Sequence, residues 1–485
     1  MVRLGPKPPQ HRKGTFTGVS KELLDEIHQM EDLFTVSGET LTKISDHFVS
    51  ELTKGLSKEG GNIPMIPGWV LDFPTGQETG DYLAIDLGGT NLRVVLVSLL
   101  GDHKFDTTQS KFALPKNMRT AKSEELWTFI AECLAKFLAE FFPDGVKHTL
   151  PLGFTFSYPA SQDNITEGYL QRWTKGWDID GVEGKNVVPM LQEAIAKVNI
   201  PIEVVALIND TTGTMVASMY TDSEAKMGLI FGTGVNGAYY EKISEIPKLE
   251  GRLEDDVTPD MLMAINCEYG SFDNEHAVLP RTRFDKILDK ESARPGQQSF
   301  EKMISGYYLG ELLRLILLEL ADEKKLIFEG QDLTKLHESF VMDTSFPARI
   351  EEDPFENLSD VQELFQNNLN IQTTVAERKV IRRLSELLGE RSARLSVCGI
   401  AAICKKRGYK SAHCAADGSV YEKYPYFKER AAQGLRDIFG WAEGEEDPVV
   451  IVAAEDGSGV GAAVIAALTE RRLKDGKSVG VKKGT

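Results

Sequence analysis

Residues 83–93 read LAIDLGGTNLR, and a second glycine turn, Gly232-Thr233-Gly234, interrupts the apolar run KMGLIFGTGVNGAYYEK at 226–242. A glycine turn between strands is either a tight hairpin, where glycine is favoured, or a cradle for phosphate. In a cradle, glycines let backbone N–H groups approach an anion while Thr and Asn side chains add donors. Asp86 would repel a phosphate directly, and a Mg²⁺ ion between them, reached through water, would reconcile the two. Two opposed turns of this kind can clamp one nucleotide.

A second constellation is acidic and amidic. Asn209-Asp210 ends the buried run PIEVVALIND at 201–210, where an unpaired carboxylate is costly. Asp210 either caps the helix that TTGTMVAS begins or serves as a general base. Asn236, Glu268 and Glu301 are further polar groups, and none of the 8 histidines falls in these motifs, which favours a carboxylate base. The P-loop pattern is absent, because Arg471 stands where its first glycine belongs before Gly476-Lys477-Ser478. EDGSGVG at 455–461 opens a helix and either faces an anion or packs closely. Cys404, His413 and Cys414 have no second close pair of ligands, so no zinc site is expected.

Strands and helices must position these groups. Strand patterns cover 82–87, 92–99, 150–159 and 201–210, and 226–242 reads as strand, glycine turn, strand. Leu126, Ile130, Leu134, Phe137 and Phe141 mark one face of a helix over 124–142. Leu41, Ile44, Phe48 and Leu52 mark another, with Ser37 as its N-cap. Residues 305–320 read as a buried helix, and 394–408 and 447–468 each read as strand, turn and helix. The Pro- and Gly-rich stretch 61–76 reads as a linker, and residues 1–19 as a mobile tail. Alternating strands and helices imply an α/β architecture, and the two glycine turns imply two related halves facing across a cleft.

The whole chain sets the bounds. At 485 residues, two or three domains are expected. The formal charge of −18 argues against nucleic-acid binding. No apolar run is long enough to span a membrane, and the N-terminus lacks the apolar stretch of a secretory signal. Five cysteines at loose spacings fit free thiols in a reducing compartment.

LGFTFSYPASQ (152–162), LQRWTKGW (170–177), INDTTGT (208–214), GTGVNGAYYE (232–241), NCEYGSFD (266–273) and FEKMISGYYLGE (300–311) together resemble the hexokinases. The single-unit length, RPGQQSFEK and the basic tail are similar to the fungal members. The resemblance spans roughly residues 20–470, in halves of 20–218 and 219–468. It implies two ribonuclease-H-like, actin-type domains around a deep cleft: a large one from 20–76 and 210–457, and a small one from 77–209 and 458–485. It implies ATP with Mg²⁺ as donor, and a hexose (glucose, with fructose and mannose) phosphorylated at its 6-hydroxyl by in-line transfer, the first step of glycolysis.

Carried over by position, Ser157, Thr174, Lys175, Asn209, Asp210, Asn236, Glu268 and Glu301 line the sugar site, with Asp210 as base. Lys175 either supplies positive charge near the phosphate or holds the sugar. Asp86, Gly88, Gly89, Thr90, Asn91, Lys111, Thr233, Thr344, Ser345, Gly418 and Ser419 contact the nucleotide. The metal arrives with ATP and is not ligated directly, reaching Asp86 and Asp210 through water. Tyr307 replaces a lysine that mammalian-type members place near the nucleotide. The resemblance also implies a cytoplasmic enzyme with a nuclear fraction, and a reversible homodimer involving the tail. Arg12-Lys13-Gly14-Thr15 suits a basophilic protein kinase, with Thr15 as acceptor. Sugar binding is expected to close the cleft and expel water, with hinges at 61–76, 209–211 and 456–460. An actin- or chaperone-like ATPase would lack the sugar motifs, and a non-catalytic sugar sensor would lack the base.

Overall fold

The computed structural model describes residues 16–88, 91–115, 117–173, 177–442, 444–454 and 457–482. Its strands, in chain order, are β1 (Ile66–Pro67), β2 (Thr79–Leu87), β3 (Asn91–Gly101), β4 (Lys104–Ala113), β5 (Leu150–Thr155), β6 (Ala160–Ser161), β7 (Tyr169–Leu170), β8 (Ile202–Ile208), β9 (Ala225–Phe231), β10 (Val235–Lys242), β11 (Leu262–Asn266), β12 (Ala412–Asp417) and β13 (Val449–Ala453). Five of them form one sheet in the order β4-β3-β2-β5-β8, six form another in the order β1-β11-β10-β9-β12-β13, and β6 pairs with β7. Apart from β1, the two sheets are laid out alike. In each, the first three strands form an antiparallel meander and the last two join in parallel. The internal echo of the glycine turns is therefore a duplicated α/β unit of the ribonuclease-H-like, actin-type fold.

Each unit ends in a helix that leaves its own sheet. The helix Asp210–Thr221, which follows β8, packs on β9 and β10 of the second sheet. The helix Gly457–Lys474, which follows β13, packs on β2, β5 and β8 of the first. This exchange joins the two lobes, and the two helices cross where a Cβ on Gly461 would lie 1.9 Å from the Gly213 carbonyl oxygen. Only glycine permits that approach. Of the two readings of EDGSGVG, close packing accounts for Gly461, while residues 455 and 456 lie outside the described residues.

Both faces of β2, β3, β5 and β8 are covered, so these strands carry apolar residues on adjacent positions, while the edge strand β4 has no buried residue. Leu83, Ile85, Leu92 and Val94 face a core shared with Leu126, Ile130, Leu134 and Phe137 of the helix Ser123–Phe141. Ala84, Val95 and Val97 face the core that holds the helix Gly457–Lys474. A third cluster joins Ile27, Met30 and Phe34 of the helix Lys21–Phe34 to Leu384 and Leu388. Ser37 accepts the Thr40 N–H and caps its helix as expected.

Three expectations are corrected. Residues 394–408 hold no strand: they are the end of one helix, Val375–Arg407, stopped by Gly408 in the left-handed conformation. A short apolar run has no period that separates buried strand from buried helix. The stretch 61–76 is more than a linker, since β1 pairs with β11 and Trp69, Val70 and Leu71 are buried. The mobile tail expected over 1–19 does not extend to residue 19, because Phe16 and Val19 pack on the third core and Lys379 donates to the Thr17 carbonyl at 3.1 Å.

Candidate active site

The sugar-site candidates meet along the seam between the sheets. Strand β8 delivers Asn209 and Asp210 to the start of the exchanged helix. Asn209 is the N-cap, its side chain accepting the Thr211 N–H at 2.9 Å. Asp210 takes the first helical position and accepts the same N–H at 2.7 Å and the Thr211 hydroxyl at 3.2 Å. Both are half-buried. The sequence offered capping or catalysis for Asp210, and the cap is its neighbour.

From the second sheet come Asn236 on β10, Asn266 at the end of β11, and Glu268 just beyond. Asn236 donates to Asn266 Oδ1 at 2.7 Å and to Glu268 Oε1 at 3.1 Å, and Asn266 donates to the same carboxylate oxygen at 2.9 Å. The Glu268 N–H returns a bond to Asn236 Oδ1 at 2.9 Å. Glu268 sits at φ +57, the left-handed region uncommon for a residue with a side chain. The amide network fixes its carboxylate there, as backbone strain at functional sites commonly is fixed. Glu301, on the helix Ser299–Ile304, accepts the Val235 N–H at 3.0 Å, one residue from Asn236. A pocket opens between these groups and the first lobe. Its wall includes Asn209 and Thr212 from the crossing helix, Asn266 and Glu268 from the second lobe, and Phe156 and Tyr158 from the first. Ser157 lies between those two aromatics, half-buried, where the Phe156 N–H donates to the Ile208 carbonyl at 2.9 Å. Thr174 and Lys175 lie outside the described residues.

The phosphate candidates form two groups. In the first lobe, the Gly88 N–H donates to the Asn91 carbonyl at 3.0 Å and closes the turn. Gly89 and Thr90 lie outside the described residues. Asp86, Arg93 and Lys111 stand side by side across β2, β3 and β4. Ser458 donates to Asp86 Oδ2 at 2.9 Å and accepts from Arg93 Nη2 at 3.1 Å. Asp86 is thus anchored to the start of the exchanged helix, and Lys111 is exposed beyond it.

In the second lobe three segments converge on the Gly232 turn. The Gly306 N–H donates to the Gly232 carbonyl at 2.8 Å, and the Tyr307 N–H to the Thr233 carbonyl at 3.3 Å. The Thr344 hydroxyl donates to the Gly306 carbonyl. Gly418, at φ +114, lies so close that a Cβ there would come 2.6 Å from the Phe231 carbonyl oxygen. Thr233 is exposed at the centre of this convergence. Ser345 is tied to Asp343, its N–H donating at 2.9 Å and its hydroxyl at 2.5 Å. Ser419 begins the helix Ser419–Lys423 behind Gly418. The residues suit a polyphosphate: glycines clear the backbone, and exposed hydroxyl and amide donors remain.

Asp417 joins the groups. Burial raises its carboxyl pKa, and the charges of Glu422 and Asp210 raise it further, while the Gly418 N–H and Arg93 oppose the shift. The Gly418 turn is therefore within electrostatic reach both of Asp210 and of Arg93 in the first lobe. Asn266, Ser458, Arg93 and Asp417 were not singled out from the sequence. Asn266 had a signal, a polar residue ending the apolar strand Leu262–Asn266. Asp417 had a comparable one at the end of β12.

Family models for hexokinase match residues 26–220 and 226–468. The chain is 75% identical over 476 residues to the hexokinase of Schwanniomyces occidentalis, covering 98% of this chain and 99% of that one. It is 66% identical to hexokinase-1 of Saccharomyces cerevisiae, covering 99% of each. The chain belongs to the hexokinase family. A solved hexokinase from Schistosoma mansoni, complexed with glucose, superposes with a TM-score of 0.82 at 34% identity, covering 92% of this chain and 99% of that one. As a hexokinase the chain carries out ATP-dependent phosphorylation of hexoses, the entry step of glycolysis. Among the described residues no helix is long and apolar enough to cross a membrane.

Proposed function

We propose that the chain transfers the terminal phosphoryl group of ATP to the 6-hydroxyl of glucose, fructose or mannose, with Asp210 as the base that accepts the hydroxyl proton. The observation that carries this reading is the position of Asp210. It lies next to the cap residue Asn209, beside a pocket walled by Asn266 and Glu268, and its charge reaches Asp417 at the nucleotide turn. Asn209, Asn236, Asn266 and Glu268 are rich in hydrogen-bonding groups fixed in position, as recognition of a polyhydroxyl ligand requires. Ser157, Thr174, Lys175 and Glu301 complete the sugar site in this reading.

Transferring phosphoryl demands little covalent chemistry from the protein, so positioning and electrostatics dominate. Gly88, Gly89, Thr90, Asn91, Thr233, Gly418 and Ser419 would hold the phosphates, with Lys111, Thr344 and Ser345 near the rest of the nucleotide. Mg²⁺ supplied with ATP neutralises phosphate charge, and Asp86 and Asp210 are the carboxylates placed to meet its hydration shell. The test is hexose 6-phosphate formation by the purified chain with ATP and each sugar, read through a coupled dehydrogenase. ATP consumption that no sugar stimulates would refute the assignment.

In this reading the domain boundaries lie at 76/77, 209/210 and 457/458, the last two near the starts of the exchanged helices, and the enzyme is placed in the cytoplasm. Thr15 lies outside the described residues. A basic tail preceding Phe16, on a chain of net charge −18, motivates a reversible homodimer weakened by phosphate at Thr15. Sedimentation of Thr15→Glu against the parent protein measures this, and identical dimerisation curves would remove it.

A further inference from the structure

Asn266 ends β11 with its backbone held on both sides. It stands opposite Ala238 of β10 and Ile66 of β1, and the Met65 N–H donates to the Cys267 carbonyl at 3.0 Å. Asn236, two residues before Ala238 on β10, is its diagonal neighbour on the same face of the sheet. The Asn266 residue is 7% exposed and lines the pocket between the lobes. A polar side chain so deeply buried needs its partners, and these partners fix which way each amide points.

The order starts from the backbone. Asn236 Oδ1 accepts the Gly237 N–H at 2.7 Å and the Glu268 N–H at 2.9 Å. Backbone N–H groups only donate, so this atom must be the amide oxygen. Asn236 Nδ2 then gives one hydrogen to Asn266 Oδ1 and the other to Glu268 Oε1. An asparagine side chain offers two hydrogens and two acceptor positions, so the capacity of Asn236 is spent inside the protein. Asn266 differs. Its oxygen faces Asn236, which turns its nitrogen toward Glu268. Among the described residues only one of its two amide hydrogens is used, at 2.9 Å to Glu268 Oε1. The second belongs to the pocket wall beside that carboxylate. A buried donor left without a partner costs free energy.

We propose that Asn266 is a further sugar-contacting residue, giving its second amide hydrogen to a ring hydroxyl of the hexose, with Asn236 positioning it. The proposal rests on reading the pocket beside Asn209 as the sugar site. A hydroxyl both donates and accepts, and the wall holds an amide donor next to a carboxylate acceptor. A group built to bond a hydroxyl is left unpaired by a sugar that lacks it, so the contact contributes specificity as well as affinity.

The experiment titrates the full chain calorimetrically with glucose and with each monodeoxyglucose that keeps the 6-hydroxyl. Asn266→Ala should weaken glucose binding about tenfold, by loss of one hydrogen bond. The same loss should appear for every deoxy sugar except the one lacking the contacted hydroxyl, whose affinity should change less than about twofold. Asn266→Asp keeps the size and the acceptor for Asn236 but has no amide hydrogen to give, and it should lose at least as much. Glucose affinity within about twofold of the parent in either variant overturns the contact. So does an equal loss for every sugar, which a loosened wall would produce. A cycle with Glu268→Gln separates contact from support. If Asn266→Ala costs nothing further in the Glu268→Gln protein, Asn266 acts only through the carboxylate and the contact is overturned. Asn209→Ala tests the site itself. If it weakens glucose binding while Asn266→Ala does not, the Asn266 contact alone fails. If neither variant weakens binding, the sugar-site reading fails with it.

Discussion

Asn209 satisfies the open end of the Asp210–Thr221 helix, which leaves the adjacent carboxylate available for chemistry. The two roles separate experimentally in Asp210→Asn. Holding the Thr211 N–H needs only an acceptor oxygen, and an amide has one. Accepting the proton of a sugar hydroxyl needs a carboxylate, and a positioned base contributes about 10²–10⁴-fold. Glucose phosphorylation by Asp210→Asn should fall by at least ~10²-fold, about 2.7 kcal/mol of barrier, with the melting temperature unchanged. Near-normal turnover would reject Asp210 as the base. Asp210 and Asn209 were legible in the sequence because a polar pair, one of them charged, ending an apolar strand is conspicuous. Asn266 and Ser458 were not, because their meaning lies in partners: Asn266 is oriented by Asn236 and Glu268, and Ser458 bridges Asp86 and Arg93 across more than half the chain.

At the scale of elements, the helix Val375–Arg407 joins two of the cores and was the element read least well. Its second half, RLSVCGIAAICKK, is buried on nearly every side, so the polar stripe that marks a surface helix is missing. The strands β2, β3, β9 and β10 were legible because glycine turns bound them. Midway along the helix, Arg391 makes two bonds to Asp285, at 2.8 and 2.9 Å, with side chains 0% and 3% exposed. Its guanidinium also lies 4.7 Å from the centre of the Phe34 ring. Burial would raise the Asp285 pKa, but Arg391 and the Thr282 donors outweigh it and hold the carboxyl below its ordinary value. A depressed carboxyl contributes stability above its unfolded pKa and loses it as pH falls through the folded one. The contribution is therefore complete above about pH 4 and disappears in more acidic solution. Arg391→Ala strands the carboxylate and should cost about 3–5 kcal/mol at neutral pH, with a smaller loss on acidification through the window where the parent loses this term. Urea unfolding at pH 7 and at pH 3 measures both. Equal stability of the two proteins at pH 7 would show the pair to be replaceable.

At the scale of the molecule, the lobes are tied at one end of the seam. The Trp69 indole donates to the Gln162 carbonyl at 2.9 Å, and Arg252 pairs with Asp163 at 2.8 Å. The segment after the last helix lies between the lobes: the Ile165 N–H donates to the Val479 carbonyl at 3.0 Å, the Val481 N–H to the Asp163 carbonyl at 2.9 Å, and the Lys482 N–H to the Arg252 carbonyl at 2.8 Å. Gln162 also lines the pocket, so the ties border the proposed sugar site and leave the proposed phosphate turns of the two lobes linked mainly through the crossed helices. That arrangement lets the lobes turn about the crossing while the pocket edge stays joined. A sugar held between Asn209 on the crossing and Glu268 on the second lobe would favour whichever orientation brings the first lobe's Phe156–Gln162 wall onto it. The reaction needs such closure, because water competes with the 6-hydroxyl for the phosphoryl group and must be kept out. A compact chain of 485 residues has a radius of gyration of roughly 23 Å, and saturating glucose should reduce the value measured by small-angle scattering. The Asp210→Asn protein should contract as the parent does, because its amide can still bind the sugar hydroxyl. An unchanged radius in both proteins at saturation would mean that the lobes do not move on binding, and water would then have to be excluded by the nucleotide alone.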